Sequence, residues 1–439
     1  MTRPLQTDKA ATTLERAGTG ETAAGAGGRE TLVVRSALAV IAVAVLDDAF
    51  VHREPGTAVG DHLAGGLVPA AIAVVLALVY PRLRAGARAT IALVCAPLAI
   101  VAGVVDGLRH VIVDRLAGDD LTALLALVAG VVLAAVGIVV LWRSRRRDGP
   151  RLRRYGRRAL LTIGALAGGF FVVLPMALAL VANHKARAPV HAADLGRPYE
   201  QVSMRATDGV KLAGWYVPSR NGAAMIVFPG RQGPVRHARM LARHGYGVLL
   251  LDRRGEGASE GDFNARGWGG EPDLSAAVTY LRRRPDVQRG RIGGLGLSVG
   301  GELLLQTAAH DGRLRAVVSE GAGRQSLRDQ LQTPDAPKAL RWLSPMTVET
   351  AAGVVLANHW PPAGLVDVMP RIAPRPVLLI RGGRGNADEE LNPIYKNAGG
   401  DTVSLWTIPQ AGHTGGLSAL PGGYERRVVG FFDHALLGG

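Results

Sequence analysis

Long, predominantly apolar stretches near residues 32–50, 62–80, 89–108, 121–142 and 159–183 constrain this chain more than any other feature. A helix needs about 20 apolar residues to cross the hydrocarbon layer, and backbone in lipid must satisfy its own hydrogen bonds, so these stretches predict a bundle of about five transmembrane helices. The first of them contains Arg35 and ends at Asp47 and Asp48, which leaves two outcomes open: a span or a helix lying in the interface. Asp106 lies near the end of its stretch with Arg109 one turn on, where snorkelling and pairing account for it. Gly164 and Gly168 form a weak small-xxx-small signal for close helix approach.

The net charge of +15 would point to nucleic acid in a soluble protein, but its distribution argues otherwise. Nine arginines fall between Arg143 and Arg158, between two apolar stretches. Lys and Arg are retained on the cytoplasmic side, so this loop and "PRLRAGAR" are expected inside. "HREPGTAVGD" and "RHVIVDRLAGDD" are then outside, together with everything after Asn183. The expectation is a multi-pass cell-membrane protein whose C-terminal domain is extracytoplasmic, with no nucleic-acid partner. Residues 1–30 are polar and aperiodic and predict a disordered tail rather than a signal peptide. The single cysteine, Cys95, lies inside an apolar stretch and excludes a disulfide framework or thiolate cluster.

Past residue 183 the texture changes: residues 184–199 read as a polar linker and 200–439 as a separate domain. "AAMIVF", "YGVLLLD", "RAVVS" and "RPVLLI" are short apolar runs suited to strands buried on both faces of a mostly parallel sheet. Helical stretches such as "EPDLSAAVTYLRRR" and "GGELLLQTAAHD" separate them, so the fold class is a doubly wound α/β domain following an α-helical membrane region.

Gly296, Ser298 and Gly300 form G-x-S-x-G between a strand and a helix. That context suits a serine lifted on a sharp turn, where small neighbours avoid clashes. A serine hydroxyl needs a base to take its proton. His413, in "IPQAGHTGG" after the strand-like "VSLWTIP", is placed to supply one at the sheet's carboxyl edge.

The order serine then histidine, the stretch "DRRGEGASEGD" (Asp252–Asp262) and the loop "AGHTGG" together resemble the α/β-hydrolase fold family, in particular its dienelactone hydrolase and prolyl-oligopeptidase-like branches. The resemblance covers most of residues 200–439 and implies serine-mediated hydrolysis through an acyl-enzyme, without cofactor or metal. It also implies an oxyanion hole built from backbone N–H groups, assigned to Val299 and Arg231, although "FPGRQG" departs from the family's His-Gly loop. The family places its acid shortly after "PVLLI", where this chain reads "RGGRGNADEELNP". Asp388 is the first choice, Glu389 the second and Glu320 the third. Glu389 also fits a capping box with Asn386, which would occupy its carboxylate.

Residues 321–370, with "LRWLSPM" and "LANHWPPAGL", are too long for a simple connection and predict a small helical cap. Trp268, Trp342 and Trp360 are candidates to line an apolar substrate site. Arg231, Arg253 and Arg254 are read as a solvated basic face, with attraction of an anionic substrate as the other outcome. The sequence therefore predicts a membrane-anchored hydrolase of small-molecule or lipid acyl esters, thioesters or amides. The alternative is a transport or sensor protein whose hydrolase-like domain only binds ligand.

Overall fold

The protein is described by a computed structural model covering residues 28–108, 118–144, 150–185, 187, 190–229, 231, 233–334 and 336–438. Residues 1–27 of the expected tail (1–30), Arg109 and part of the basic loop lie outside these, whereas residues 28–30 are helical rather than part of a tail. The chain forms two compact units, Met1–His52 with Gly66–Val173, and Arg53–Gly65 with Leu174–Gly439.

Within the first unit, helix α1 spans residues 28–46, followed by α2 (Leu63–Val79), α3 (Ala85–Ala102), α4 (Gly118–Arg143) and α5 (Arg151–Gly168). Val34 and Leu38 pack with Tyr80, Ala92, Ala96 and Leu133 in one apolar cluster. Four segments, Val59–Arg82, Ala85–Gly107, Leu121–Arg143 and Arg151–Asn183, are long and apolar enough to cross a membrane by length and composition. The stretch near residues 32–50 is helical but is not among them, which removes one from the expected set; Arg35, Asp47 and Asp48 interrupt it. Close helix approach falls on other glycines than expected. A Cβ at Gly130 would stand 2.8 Å from Ile100 and one at Gly137 2.8 Å from Leu93, whereas nothing lies within 4 Å of Gly164 or Gly168.

The second unit opens, after α6 (Leu174–Asn183), into an eight-stranded sheet of order β1-β2-β4-β3-β5-β6-β7-β8. The strands are β1 (Glu200–Arg205), β2 (Lys211–Val217), β3 (Ala224–Phe228), β4 (Gly247–Leu251), β5 (Ile292–Leu297), β6 (Ala316–Glu320), β7 (Val377–Arg384) and β8 (Val403–Gly412). β1 and β2 are antiparallel; β3 to β8 run parallel. All five residues of β3, β4 and β6 are buried, as the unbroken apolar runs require of strands covered on both faces.

Two apolar cores cover the two faces. On one, α7 (Val235–Arg243) and the late helix Pro421–Phe432 contribute Leu241, Val428 and Phe432. On the other, α8 (Glu271–Arg282) and α9 (Val299–His310) contribute Leu274, Leu281 and Leu304. The chain winds from β3 out to β4 and then crosses back to β5, so the strand order reverses at β3/β5. Crevices at such reversals, beyond the carboxyl ends of the strands, are where ligands bind in open α/β sheets.

The insertion between β6 and β7 is helical as expected, with α10 (Leu327–Leu331), α11 (Ala336–Ala357) and α12 (Leu365–Val368). α11 packs against α6, so the end of the last apolar stretch belongs to this unit. The expected linker is laid against the domain rather than free: Leu195 is buried, and Arg239 Nε donates to Asp194 O at 2.8 Å. Arg53–Gly65 packs here too. Gly261 N donates to Pro55 O at 2.8 Å, and Arg187 Nε donates to Glu54 at 2.9 Å.

Candidate active site

Ser298 stands between β5 and α9 with φ 50° and ψ −127°, a backbone conformation that a side-chain-bearing residue rarely holds. Its N–H donates to Glu320 O at 2.8 Å, which fixes the turn to β6. The neighbouring glycines are required by space. A Cβ at Gly296 would lie 2.4 Å from Gly301 N, and one at Gly300 would lie 2.5 Å from Phe228 O.

His413 follows β8 immediately and directs Nε2 to Ser298 Oγ at 3.0 Å. Its Nδ1 meets Glu389 Oε1 at 2.7 Å. Glu389, buried in the 3₁₀ turn Ala387–Leu391 after β7, also accepts Gly382 N–H at Oε2, 2.8 Å away. The hydrogen bond and negative charge of Glu389 raise the His413 pKa above its ordinary value, against a smaller opposing effect of burial.

Asp388 is not in this chain of contacts. Its Oδ1 accepts from Arg324 at 2.8 Å, because successive residues of a 3₁₀ turn point about a third of a turn apart. The capping box expected of Asn386 and Glu389 does not form, and Asn386 makes no side-chain cap. Glu320 is occupied elsewhere. Its Oε1 accepts Gly416 N–H and its Oε2 the Tyr424 hydroxyl, each at 2.7 Å, with His237 Nε2 3.7 Å away. Burial pushes the Glu320 carboxyl up, yet these partners together hold it below its usual value. Glu320 thus ties the loop after His413 to β6. Sequence reasoning listed it as an acid but gave no sign of this anchoring, which depends on contacts about a hundred residues apart.

Val299 is the first residue of α9, where helix N–H groups lack partners within the helix. Arg231 is corrected: its N–H donates to Asp252 Oδ1 at 2.7 Å and its Nε to Oδ2 at 2.7 Å, a buried pair that consumes the donor assigned to an oxyanion. The expected basic face is also corrected. Arg253 lies against Glu256 at 3.2 Å and Arg254 against Asp208 at 2.9 Å, and neither is exposed. "DRRGEGASEGD" is therefore a folding element: Ser259 Oγ donates to Asp252 O at 2.9 Å and accepts from Ala213 N at 2.9 Å.

The three tryptophans separate. Trp268 is buried and lines a cavity of about 240 Å³ with residues of the cap, whereas Trp342 and Trp360 are 52% and 81% exposed and do not line it. One turn beyond Ser298, Glu302 is buried under the cap. Its Oε1 accepts Gly323 N–H at 2.7 Å and its Oε2 accepts Gln325 Nε2–H, and burial pushes its pKa up to about 7. Sequence reasoning passed it over because it reads as an ordinary first-turn acid of α9.

The X-Pro dipeptidyl-peptidase (S15 family) profile matches residues 181–360. The polyketide transferase grgF of a Penicillium species is 36% identical over 132 residues, 28% of this chain and 44% of that protein. An uncharacterized Mycobacterium tuberculosis protein, Rv2307c, is 31% identical over 227 residues, 48% of this chain and 71% of its own length. Among solved structures, the Pyrococcus furiosus esterase Pf2001 superposes with a TM-score of 0.46 at 22% identity, covering 57% of this chain and 98% of that one. The chain spans less than half the length of grgF. With its mycobacterial relative, and by its sheet order and S15 match, the chain belongs to the α/β-hydrolase family.

Proposed function

We propose that the protein is a membrane-anchored serine hydrolase that cleaves an ester, thioester or amide through an acyl-enzyme. The observation that carries this reading is the continuous run Ser298 Oγ, His413 Nε2, His413 Nδ1, Glu389 Oε1, with steps of 3.0 and 2.7 Å. In it, His413 takes the serine proton as Oγ attacks the carbonyl carbon and returns it to the leaving group. Glu389 holds the imidazole tautomer and stabilises imidazolium. Val299 N–H serves as one oxyanion donor at the start of α9, where the helix dipole favours negative charge. Water then cleaves the acyl-enzyme with His413 as base again.

The same reading places the hydrolase unit outside the cytoplasmic membrane, opposite the arginine-rich loop. Packing of Arg53–Gly65 within that unit supports an outer position for this loop and the domain together. Acyl groups of lipids or of the cell envelope are then substrates within reach.

The test is reaction of the full-length protein, in detergent, with a fluorophosphonate probe. Wild type is expected to label at Ser298. S298A and H413A should each lose labelling and ester turnover, a loss of about 10³–10⁶-fold for members of a catalytic unit. Unlabelled but folded wild type would favour the ligand-binding alternative.

A further inference from the structure

Apart from segments that belong to candidate spans, the large apolar side chains that the hydrolase unit exposes among the described residues are Leu331, Leu340, Trp342, Trp360 and Leu420. All but Leu420 lie in the cap. Leu331, Trp342 and Trp360 also stand beside the cavity that Trp268 lines, whose wall is mostly apolar. Leu331 follows the lining residue Leu327 by four positions on α10, Trp342 precedes Met346 by four on α11, and Trp360 is next to Pro361. Residues four apart on a helix share a face, so these exposed side chains continue the cavity wall outward. Contiguous exposed apolar surface of this kind marks an interaction site.

The surroundings of α11 identify what covers it. Its C-terminal end meets the start of one candidate span, Val59–Arg82: Asn358 Nδ2 donates to Gly60 O at 3.3 Å, and a Cβ at Gly65 would stand 3.0 Å from Leu356 O. α11 also packs against α6, the closing part of another candidate span, which ends at Asn183 beside Gly353. Only four residues of α11 follow Gly353, so α6 lies along the part of α11 that leads back toward Trp342. α6 itself exposes Leu174, Leu178 and Val181. It is tied in turn to the loop that bears Trp268, since Asn264 Nδ2 donates to Asn183 Oδ1 at 2.9 Å and Ala265 N to Ala182 O at 2.7 Å. The cap is thus fastened to the ends of two apolar segments.

We propose that the cap docks on a lipid bilayer, with Leu331, Trp342 and Trp360 seated at the boundary between headgroups and acyl chains and the Trp268 cavity opening toward it. The proposal rests on the membrane-anchored reading and deepens it: a substrate enters the cavity from the lipid phase, acyl chain first. Indole suits that boundary because its body is apolar while its N–H can reach water or a headgroup. The spans hold the cap at high effective concentration beside the bilayer, so a few apolar side chains suffice to seat it.

The test is the depth of spin labels on full-length protein reconstituted in phosphatidylcholine vesicles. Single cysteines L331C, W342C and W360C are placed in a C95S background, with L178C on α6 and G290C on the exposed surface as references. Collision with oxygen, which concentrates in lipid, relative to collision with a water-soluble nickel chelate is expected to be severalfold higher at the three cap positions than at G290C. Water-like ratios at W342C and W360C overturn the docking. Low access to both reagents would give the face to a second copy of the chain and overturns it as well. L178C separates the two readings: lipid-like values there beside aqueous cap labels reject the docking and keep the anchor, and aqueous values there remove both. On the hydrolase reading, the paired change W342S/W360S should slow hydrolysis of p-nitrophenyl palmitate carried in the vesicles severalfold and leave that of water-soluble p-nitrophenyl acetate unchanged. Equal loss on both esters, or on neither, contradicts entry from lipid.

Discussion

Glu389 places Oε1 2.7 Å from His413 Nδ1, while the adjacent Asp388 turns its carboxylate to Arg324 at 2.8 Å. Two neighbouring acids thus have separate duties, one facing the imidazole and one the cap.

Substitution separates them. E389Q keeps the size of the side chain but can present its amide N–H to His413 and disfavour the working tautomer, and a loss of roughly 10³–10⁴-fold in kcat is expected. D388N breaks a partly exposed pair and should change kcat less than about threefold. Steady-state kinetics on one ester settle the order; a larger loss in D388N would return the acid to that position.

The pH dependence follows from the raised His413 pKa. Nε2 must be unprotonated to accept the Ser298 proton, so kcat/KM is expected to fall on the acid side with a midpoint above the ordinary value of about 6.5. E389Q removes the charge and hydrogen bond that favour imidazolium, and should move that midpoint down. For stability the sign is opposite: the Glu389 contact contributes fully below the unfolded pKa of histidine and is lost as pH rises through the raised folded value. Unaltered midpoints in E389Q would dissociate Glu389 from the titration.

Topology can be read with cysteines. In a C95S background, V59C in the segment packed on the hydrolase unit and G290C on its exposed surface should react alike with a membrane-impermeant maleimide. Labelling of both in intact cells is expected for an outer domain. Protection of both would place the domain inside, and labelling of one alone would contradict the packing of Arg53–Gly65.

Much of the sheet was legible because strands covered on both faces read as unbroken apolar runs, and β3, β4 and β6 fall on such runs. Ser298 and His413 stood out through local motifs that the fold brings within 3.0 Å. The acid did not stand out. β7 continues past "PVLLI" to Arg384 with a register shift between Gly382 and Arg384. The positions expected for the acid hold Gly385 and Asn386, and the capping box drawn for Glu389, which does not form, put the neighbouring Asp388 first. Gly385 carried a usable signal, since a Cβ there would stand 2.3 Å from Glu389 Oε1. Arg231 was misassigned for a different reason. Its partner, Asp252, is twenty-one residues away on the next strand's end, and only the folded chain reveals the buried pair.

The positive φ of Ser298 sets catalysis against thermal resistance at a single position. Backbone held in a sparsely populated region costs about 1–3 kcal/mol, and alanine would inherit that cost while glycine would escape most of it. S298G is therefore expected to melt at a higher temperature than S298A, by about 1 kcal/mol in stability, although both are inert. On the serine-hydrolase reading, selection for heat tolerance alone would drive this site toward glycine, and the proposed nucleophilic role is what opposes that drift.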